Sequence, residues 1–196
     1  MPRSPGRPRS EEVRRAVLTA AVRLVEHDGY GAVTMEGIAR SAGVSKQTVY
    51  RWWPRKADIV LEALNEAAEA IAPAETTGSL EPDLRTFLRR TVAGASARST
   101  RLLAGLMAEA QLDEEFAESF RRGFLARRRK VLRELLAEAR ERGEVAEDAD
   151  LDFMVEIVFG MLWYRILGRH AALNRGFADR LAETVLALAA PSGARE

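Results

Sequence analysis

The segment from Val33 to Tyr50, VTMEGIARSAGVSKQTVY, constrains this chain more than any other, because it reads as two short helices joined by a glycine turn. Thr34 can cap the first helix, its hydroxyl accepting from an orphan backbone N–H, and Ile38, Ala39 and Ala42 form that helix's apolar inner face. Gly43 ends it, since a helix that closes in the left-handed region needs a residue without a Cβ clash. Ser45 caps the second helix, on which Val49 and Trp52 stand three apart and face inward. Small Ala39 lets the two helices approach closely. Lys46, Gln47, Thr48 and Tyr50 point elsewhere and form an outward set of donors, acceptors, one cation and one aromatic, which suits base edges and phosphates in a major groove. The plainer reading is an ordinary helical corner with Lys46 and Gln47 solvated.

Context weighs against the plainer reading. The tract after Tyr50 runs Arg51-Trp52-Trp53-Pro54-Arg55-Lys56-Ala57-Asp58, and the tract before Thr34 includes Asp28-Gly29-Tyr30-Gly31. From about Ser10 to Leu64 the chain resembles the N-terminal DNA-binding domain of the TetR (tetracycline-repressor) family of bacterial regulators, an ordered likeness far longer than a short motif. The resemblance implies that Thr34, Ser45, Lys46, Gln47, Thr48 and Tyr50 address DNA, and that Lys56 opens a fourth helix and donates to phosphate. Trp53 stands where the family usually has Phe, a packing position. Trp52, in register with Val49, is expected in the core, and Pro54 is expected to stop the recognition helix. Arg55 departs from the pattern, because the family often has Ser or another capping residue there. A cap is lost and a cation gained, so the fourth helix should start less firmly and its phosphate contact, now including Arg55, should be stronger.

Charge follows the same division. The chain's net charge is only +1, yet residues 1–60 hold eleven Lys and Arg against six Asp and Glu, a net of +5, so the remainder carries −4. A basic head precedes an acidic body. At 196 residues with 47% hydrophobic content, the chain can form one large or two small helical domains with a real core. The chain has no cysteine, which removes disulfides and thiolate metal sites and fits a reducing cytoplasm. No apolar leader is visible at the N-terminus, and the most apolar window, Phe153 to Leu167, is broken by Glu156 and Arg165. A cytoplasmic protein without a membrane partner is expected.

Helical patterns run almost throughout, and the expected fold is all-α. Four regions are expected: a flexible basic arm (1–9), a helix-turn-helix domain (10–56), a connecting helix and loop (57–79), and a helical ligand-sensing and dimerisation domain (80–196). Two readings stand for the arm. Arg7, in Gly6-Arg7-Pro8-Arg9, can enter an adjacent minor groove, or the charges belong to a tail without such a role. Ser10 is the expected cap of the first helix, with Ala16, Ala20 and Leu24, joined by Val17 and Ala21, on its buried stripe up to His27. In the body, helices are expected near 82–97, 101–110, 113–142, 150–168 and 174–190, the third about 45 Å long at about 1.5 Å per residue and open to a bend at Gly123. Gly143, Gly168 and Pro191 are the expected stops.

The helix from Asp150 to Gly168 is apolar nearly all round, so it should pack on its own domain and on a second surface. With the last helix it would build a four-helix interface in a homodimer, through Val155, Val158, Leu162, Phe177, Leu181, Val185 and Leu188. The family also dimerises there. The body more loosely resembles the family's sensing domain, in Arg101 to Gln111 and in Trp163-Tyr164-Arg165. This implies an unknown small-molecule effector in a cavity lined by Phe87, Leu103, Met107, Gln111, Phe120, Phe124, Phe159 and Trp163. Arg127-Arg128-Arg129-Lys130 reads as a solvated face offset by Glu134, Glu138 and Glu141. His27 and His170 are isolated, no metal cluster, nucleophile-base pair or phosphate loop is visible, and no cofactor is expected. The expectation is a ligand-responsive repressor binding a palindromic double-stranded DNA operator as a homodimer. An activator of the same fold, and more remotely an all-helical enzyme or scaffold, are the alternatives.

Overall fold

The computed structural model describes the backbone of residues 7–70, 76–95 and 97–190 and the side chains of 11–67, 76–95 and 99–190. The described residues are helical without a strand: α1 (Arg7–Asp28), a 3-10 turn (Tyr30–Ala32), α2 (Met35–Ala42), α3 (Lys46–Trp52), α4 (Lys56–Ala70), α5 (Leu80–Gly94), α6 (Ala97–Ala110), α7 (Glu114–Phe120), a π-helical turn (Arg121–Leu125), α8 (Ala126–Glu141), α9 (Leu151–Gly168) and α10 (Arg175–Ala189). They form two compact units, Met1–Ala67 with Arg98–Phe120, and Ala68–Ala97 with Arg121–Glu196.

In the first unit α1 packs on α2 and α2 on α3. Helix α1 starts at Arg7, so Ser10 lies inside it and does not cap it, and residues 7–9 of the expected arm are helical. Pro8 is compatible with this early start because a first-turn residue has no helical use for its N–H. Residues 1–6 of the arm lie outside the described residues. The buried stripe of α1 is Val17, Leu18, Ala20, Ala21 and Val25; of the residues expected there Val17, Ala20 and Ala21 are buried and Ala16 and Leu24 half-buried, so the inner face is centred slightly aside of the one expected. Arg14 then ties α1 to α4 by donating to Glu62 (2.5 Å) and to Glu66.

Helices α6 and α7, which follow the boundary expected at residue 80, group with this compact unit. They are held by specific contacts. A Cβ on Gly105 of α6 would come within 2.5 Å of the Tyr30 ring carbon Cγ, so only glycine permits this approach. Tyr30 donates its hydroxyl to Glu109 of α6 at 3.1 Å, and burial first, then the Glu109 charge, pushes its phenol far above the usual range. Arg101 donates to the Glu26 carbonyl at 3.1 Å.

The second unit is a ring of four helices: α10 packs on α5, α5 on α8, α8 on α9 and α9 on α10. Its core includes Leu84, Leu88, Leu132, Leu136, Met154, Val158, Ala178 and Val185. The helix expected over 113–142 is interrupted by the π-helical turn containing Gly123, which is where a bend was expected. Helix α5 begins at Leu80, earlier than expected, and its cap comes from elsewhere. Ser79 makes no side-chain cap; Glu144 accepts the Leu80 N–H at 2.7 Å and is held below the usual glutamate range by that bond and by Arg142. At the end of α9 the left-handed residue is Arg169 (φ 49°), not Gly168.

Candidate nucleic-acid interface

Local chemistry builds the α2–α3 corner as its residue types require. Thr34 Oγ1 accepts the Gly37 N–H at 3.0 Å, Gly43 closes α2 at φ 68°, and Ser45 Oγ accepts the Thr48 N–H at 3.1 Å. Ile38 and Ala39 on α2 and Val49 on α3 are buried. On the opposite side Lys46, Gln47, Tyr50 and Arg51 are exposed, Tyr50 at 48%, while Thr48 is half-buried with its hydroxyl 2.9 Å from Ser45 Oγ. The structure thus brings Ser45, Lys46, Gln47, Thr48 and Tyr50 onto one short helix, with Thr34 at the start of the preceding one.

Two residues join the set that sequence reasoning missed. Glu36, in the first turn of α2, accepts from Lys46 Nζ (3.3 Å) and from the Tyr50 hydroxyl (3.5 Å) through the same oxygen. Its own backbone hydrogen bond first, then Lys46, holds its carboxyl below the usual range. In sequence it is a first-turn acid like any other, and only the corner brings it to α3. Arg51, with its guanidinium 6.0 Å from the Trp52 ring, is a further exposed cation.

Of the two tryptophans expected to pack inward, Trp53 does so and Trp52 does so only in part. Trp53 is the buried one (4% exposed), donating Nε1–H to Glu62 at 2.6 Å, and Trp52 is half-buried. Residue 53 leaves the helix in extended geometry (φ −131°), as the residue before Pro54 must, and that turn sends its ring inward.

Arg55 and Lys56 are more engaged within the fold than expected. Arg55 donates to Asp58 through Nε (3.1 Å) and Nη2 (3.2 Å), and through Nη1 to Asp113 (2.8 Å), while its guanidinium lies 5.6 Å from the Phe116 ring. The bonds to Asp58 lead in raising its pKa, and Asp113 adds to them. Asp58 Oδ2 also accepts the Arg55 backbone N–H at 3.0 Å, which is the third-position half of a capping box. One half of a capping box is therefore supplied from within α4, the half that a residue 55 acceptor would add is lost, and the gained cation is paired with acids. Lys56 Nζ donates to the carbonyls of Tyr30 (3.0 Å) and Val33 (3.1 Å) and sits 4.5 Å from the Tyr30 ring centre. Two of its three N–H groups are thereby used among the described residues. Arg7 opens α1, and its side chain lies outside the described residues.

The eight residues expected around an effector divide between the units: Leu103, Met107, Gln111 and Phe120 fall in the first, and Phe87, Phe124, Phe159 and Trp163 in the second. Leu103, Phe120 and Phe124 are buried and Gln111 is exposed. A separate open cleft of about 650 Å³ in the second unit is lined by Arg89, Val92, Ala93, Ala95, Leu173, Asn174 and Arg175, and none of the eight reaches it. Of the expected dimer residues, Val155, Val158, Leu162, Phe177, Leu181 and Val185 are buried in the protomer's own core and only Leu188 is exposed. The exposed apolar residues of α9 are instead Phe153, Met161, Tyr164 and Leu167. A helix apolar on every side carries no pattern that separates its inner face from its outer one. Within Arg127–Lys130, Arg127 and Lys130 are exposed, whereas Arg128 is half-buried and bonded to Thr91, against the expectation of a solvated face.

Among the described residues no group of three or more potential ligands could hold a metal ion, and no helix is long and apolar enough to cross a membrane.

Comparison with known proteins agrees with this geometry. Residues 17–63 match the model for bacterial regulatory proteins of the tetR family, and residues 74–185 match the model for the tetracyclin repressor-like C-terminal domain. The uncharacterized HTH-type transcriptional regulator YdeS of Bacillus subtilis (strain 168) is 34% identical over 83% of this chain and 82% of its own length. The DNA-binding transcriptional repressor TetR of Mycobacteroides abscessus is 30% identical over 95% of this chain and 98% of its own. The crystal structure of the TetR family transcription regulator SCO0332 superposes with a TM-score of 0.75 at 32% identity, covering 92% of this chain and 100% of that one. With both halves matched and the capped α2–α3 corner in place, the chain belongs to the TetR family of helix-turn-helix transcriptional regulators.

Proposed function

We propose that this chain is a ligand-responsive repressor that binds a palindromic operator as a homodimer in the cytoplasm and has no catalytic role. The observation that carries the reading is the exposed face of α3, where Lys46, Gln47 and Tyr50 stand clear of the core on a helix capped at both ends. Such a face fits a major groove, with Lys46 and Arg51 also able to reach phosphate. Thr34 and the remaining N–H of Lys56 would hold the register on phosphate, while Arg55 would act within the fold. A repressor relative of matching length supports repression over activation.

The dimer would form through the exposed apolar residues of α9, chiefly Phe153, Met161 and Tyr164, together with Leu188 of α10. Two-fold symmetry then places two recognition helices on half-sites about one helical turn, or a multiple of it, apart. An effector would release DNA only by binding the DNA-incompetent arrangement more tightly than the competent one.

Selection of bound duplexes from a random pool, at low and high salt, tests the reading. A two-fold-symmetric sequence should be enriched, and its binding should weaken steeply with salt through counterion release. A folded, dimeric protein that enriches nothing in either condition would overturn it.

A further inference from the structure

Several arginines of the second unit are matched with acids or carbonyls. Arg85 pairs with Glu81, Arg89 with Asp179, Arg129 with Glu156, Arg133 with Asp152 and Arg142 with Glu144. Arg140 and Arg165 donate to the carbonyls of Ala149 and Ala172. Arg128 differs. It is half-buried on α8, yet its hydrogen bond is to a neutral hydroxyl, Thr91 Oγ1 at 3.1 Å, and its guanidinium stands 6.0 Å from the centre of the Phe87 ring. No carboxylate pairs with it among the described residues. Phe87 and Thr91 are one turn apart on α5, and Phe124, buried, lies about one turn before Arg128.

A cation withdrawn from water without an acid is costly to the fold, and burial alone pulls this guanidinium's pKa down. A guanidinium carries five N–H donors in a planar fork that matches a carboxylate bidentately. Thr91 uses one. Phe87 beside it is only half-buried, packed on the edge of the second unit's core.

We propose that Arg128, flanked by Phe87 and Thr91 between α5 and α8, is the anchoring group of an effector site for organic carboxylates with an apolar body. The carboxylate supplies the charge that the fold withholds from Arg128, and the apolar body covers Phe87. This rests on the reading of the chain as ligand-responsive and names the class of ligand.

The test uses the full chain with octanoate and 4-phenylbutyrate as probes, each against the alcohol of the same carbon skeleton, by calorimetry and thermal melting. At least one carboxylate should bind about tenfold or more tighter than its alcohol, as the loss of a charge-assisted bond implies. Arg128→Met should reduce that carboxylate to the level of the alcohol, and Arg128→Lys, which keeps the charge but not the fork, should fall between. Ligand-free Arg128→Met should melt no lower than the parent, because a half-buried charge without an acid is removed. Binding by neither carboxylate, binding no tighter than the alcohols, or binding unchanged in Arg128→Met with Arg128→Lys equal to the parent would each overturn the proposal. If Arg128→Met fails to fold, the Arg128→Lys titration decides: an affinity equal to the parent's overturns the bidentate site. Carboxylate binding that leaves the selected duplex bound would uphold the site while overturning the ligand-responsive reading.

Discussion

The two units each bury an apolar core but differ in what surrounds it. The DNA-reading unit adds to its core, which includes Ile38, Val49, Ile59 and Phe116, directional contacts at named atoms: caps at Thr34 and Ser45, a left-handed Gly43, the Arg14–Glu62–Trp53 link, and the bonds of Arg55 to Asp113 and of Tyr30 to α6. The four-helix unit depends on a broad apolar cluster running from Leu80 to Ala189, with polar cross-links such as Glu144 to Leu80 at its ends. Directional contacts leave signatures in sequence because each needs one residue type at one place. Apolar packing leaves a weaker signature, since Leu, Ile, Val and Phe can exchange faces of a helix without changing the pattern.

The largest test of this contrast lies on α9. Leu162→Glu would bury a carboxylate in the second unit's core and should cost at least about 4 kcal/mol, seen as loss of the cooperative urea transition. Tyr164→Glu, two residues on but 63% exposed, should leave each protomer's fold within about 0.5 kcal/mol. In sedimentation it should instead yield monomers. If both variants unfold, or if Tyr164→Glu stays dimeric, the division of α9 into an inner and an outer face fails.

Phe116→Ala comes next. Phe116 is fully buried in the first unit beneath Arg55, and its truncation should cost about 3–5 kcal/mol in denaturant melts. Operator binding should fall with it if α7 is integral to the reading unit. Gly105→Ala should cost about 1–3 kcal/mol, because its methyl meets the Tyr30 ring and one of the two must move. A neutral result would mean that α6 is not held closely against Tyr30. Ser45→Ala removes one cap and should cost about 1 kcal/mol, while weakening operator binding through a frayed α3.

The smallest effect is electrostatic. The Glu144 carboxyl is held below the ordinary glutamate value of about 4.3, so its contribution is present above that value and is lost as pH falls through its lowered folded value. Glu144→Gln should therefore be less stable than the parent at neutral pH and converge with it in acid. Urea melts at both conditions measure this, and a constant gap across pH would remove the carboxylate from the account.

Legibility in the sequence followed the same division. The corner from Thr34 to Trp53 was legible almost atom by atom, since each cap and turn requires a particular residue. The misassigned details there are tertiary ones. Trp52 is shallower than its register with Val49 implied, because α3 ends there and residue 53, in extended pre-proline geometry, takes the buried place. Arg55 looked like a free cation although Asp58 lies one turn on, and its second acid, Asp113, is fifty-eight residues away. In the body the helices were legible, and the π-helical turn falls at the Gly123 singled out in sequence, whereas the phase of α9 was not legible.

By itself, the sequence determined the all-helical class, the capped and glycine-turned reading corner, and the concentration of positive charge near it, because these depend on local backbone preferences and composition. The tertiary structure alone decided that α6 and α7 join the reading unit, which face of α9 remains exposed, that Glu36 holds Lys46 and Tyr50, and that Arg128 is half-buried against Thr91 and Phe87. Each of these depends on which distant residues meet, and a one-dimensional pattern of residue types does not specify such meetings.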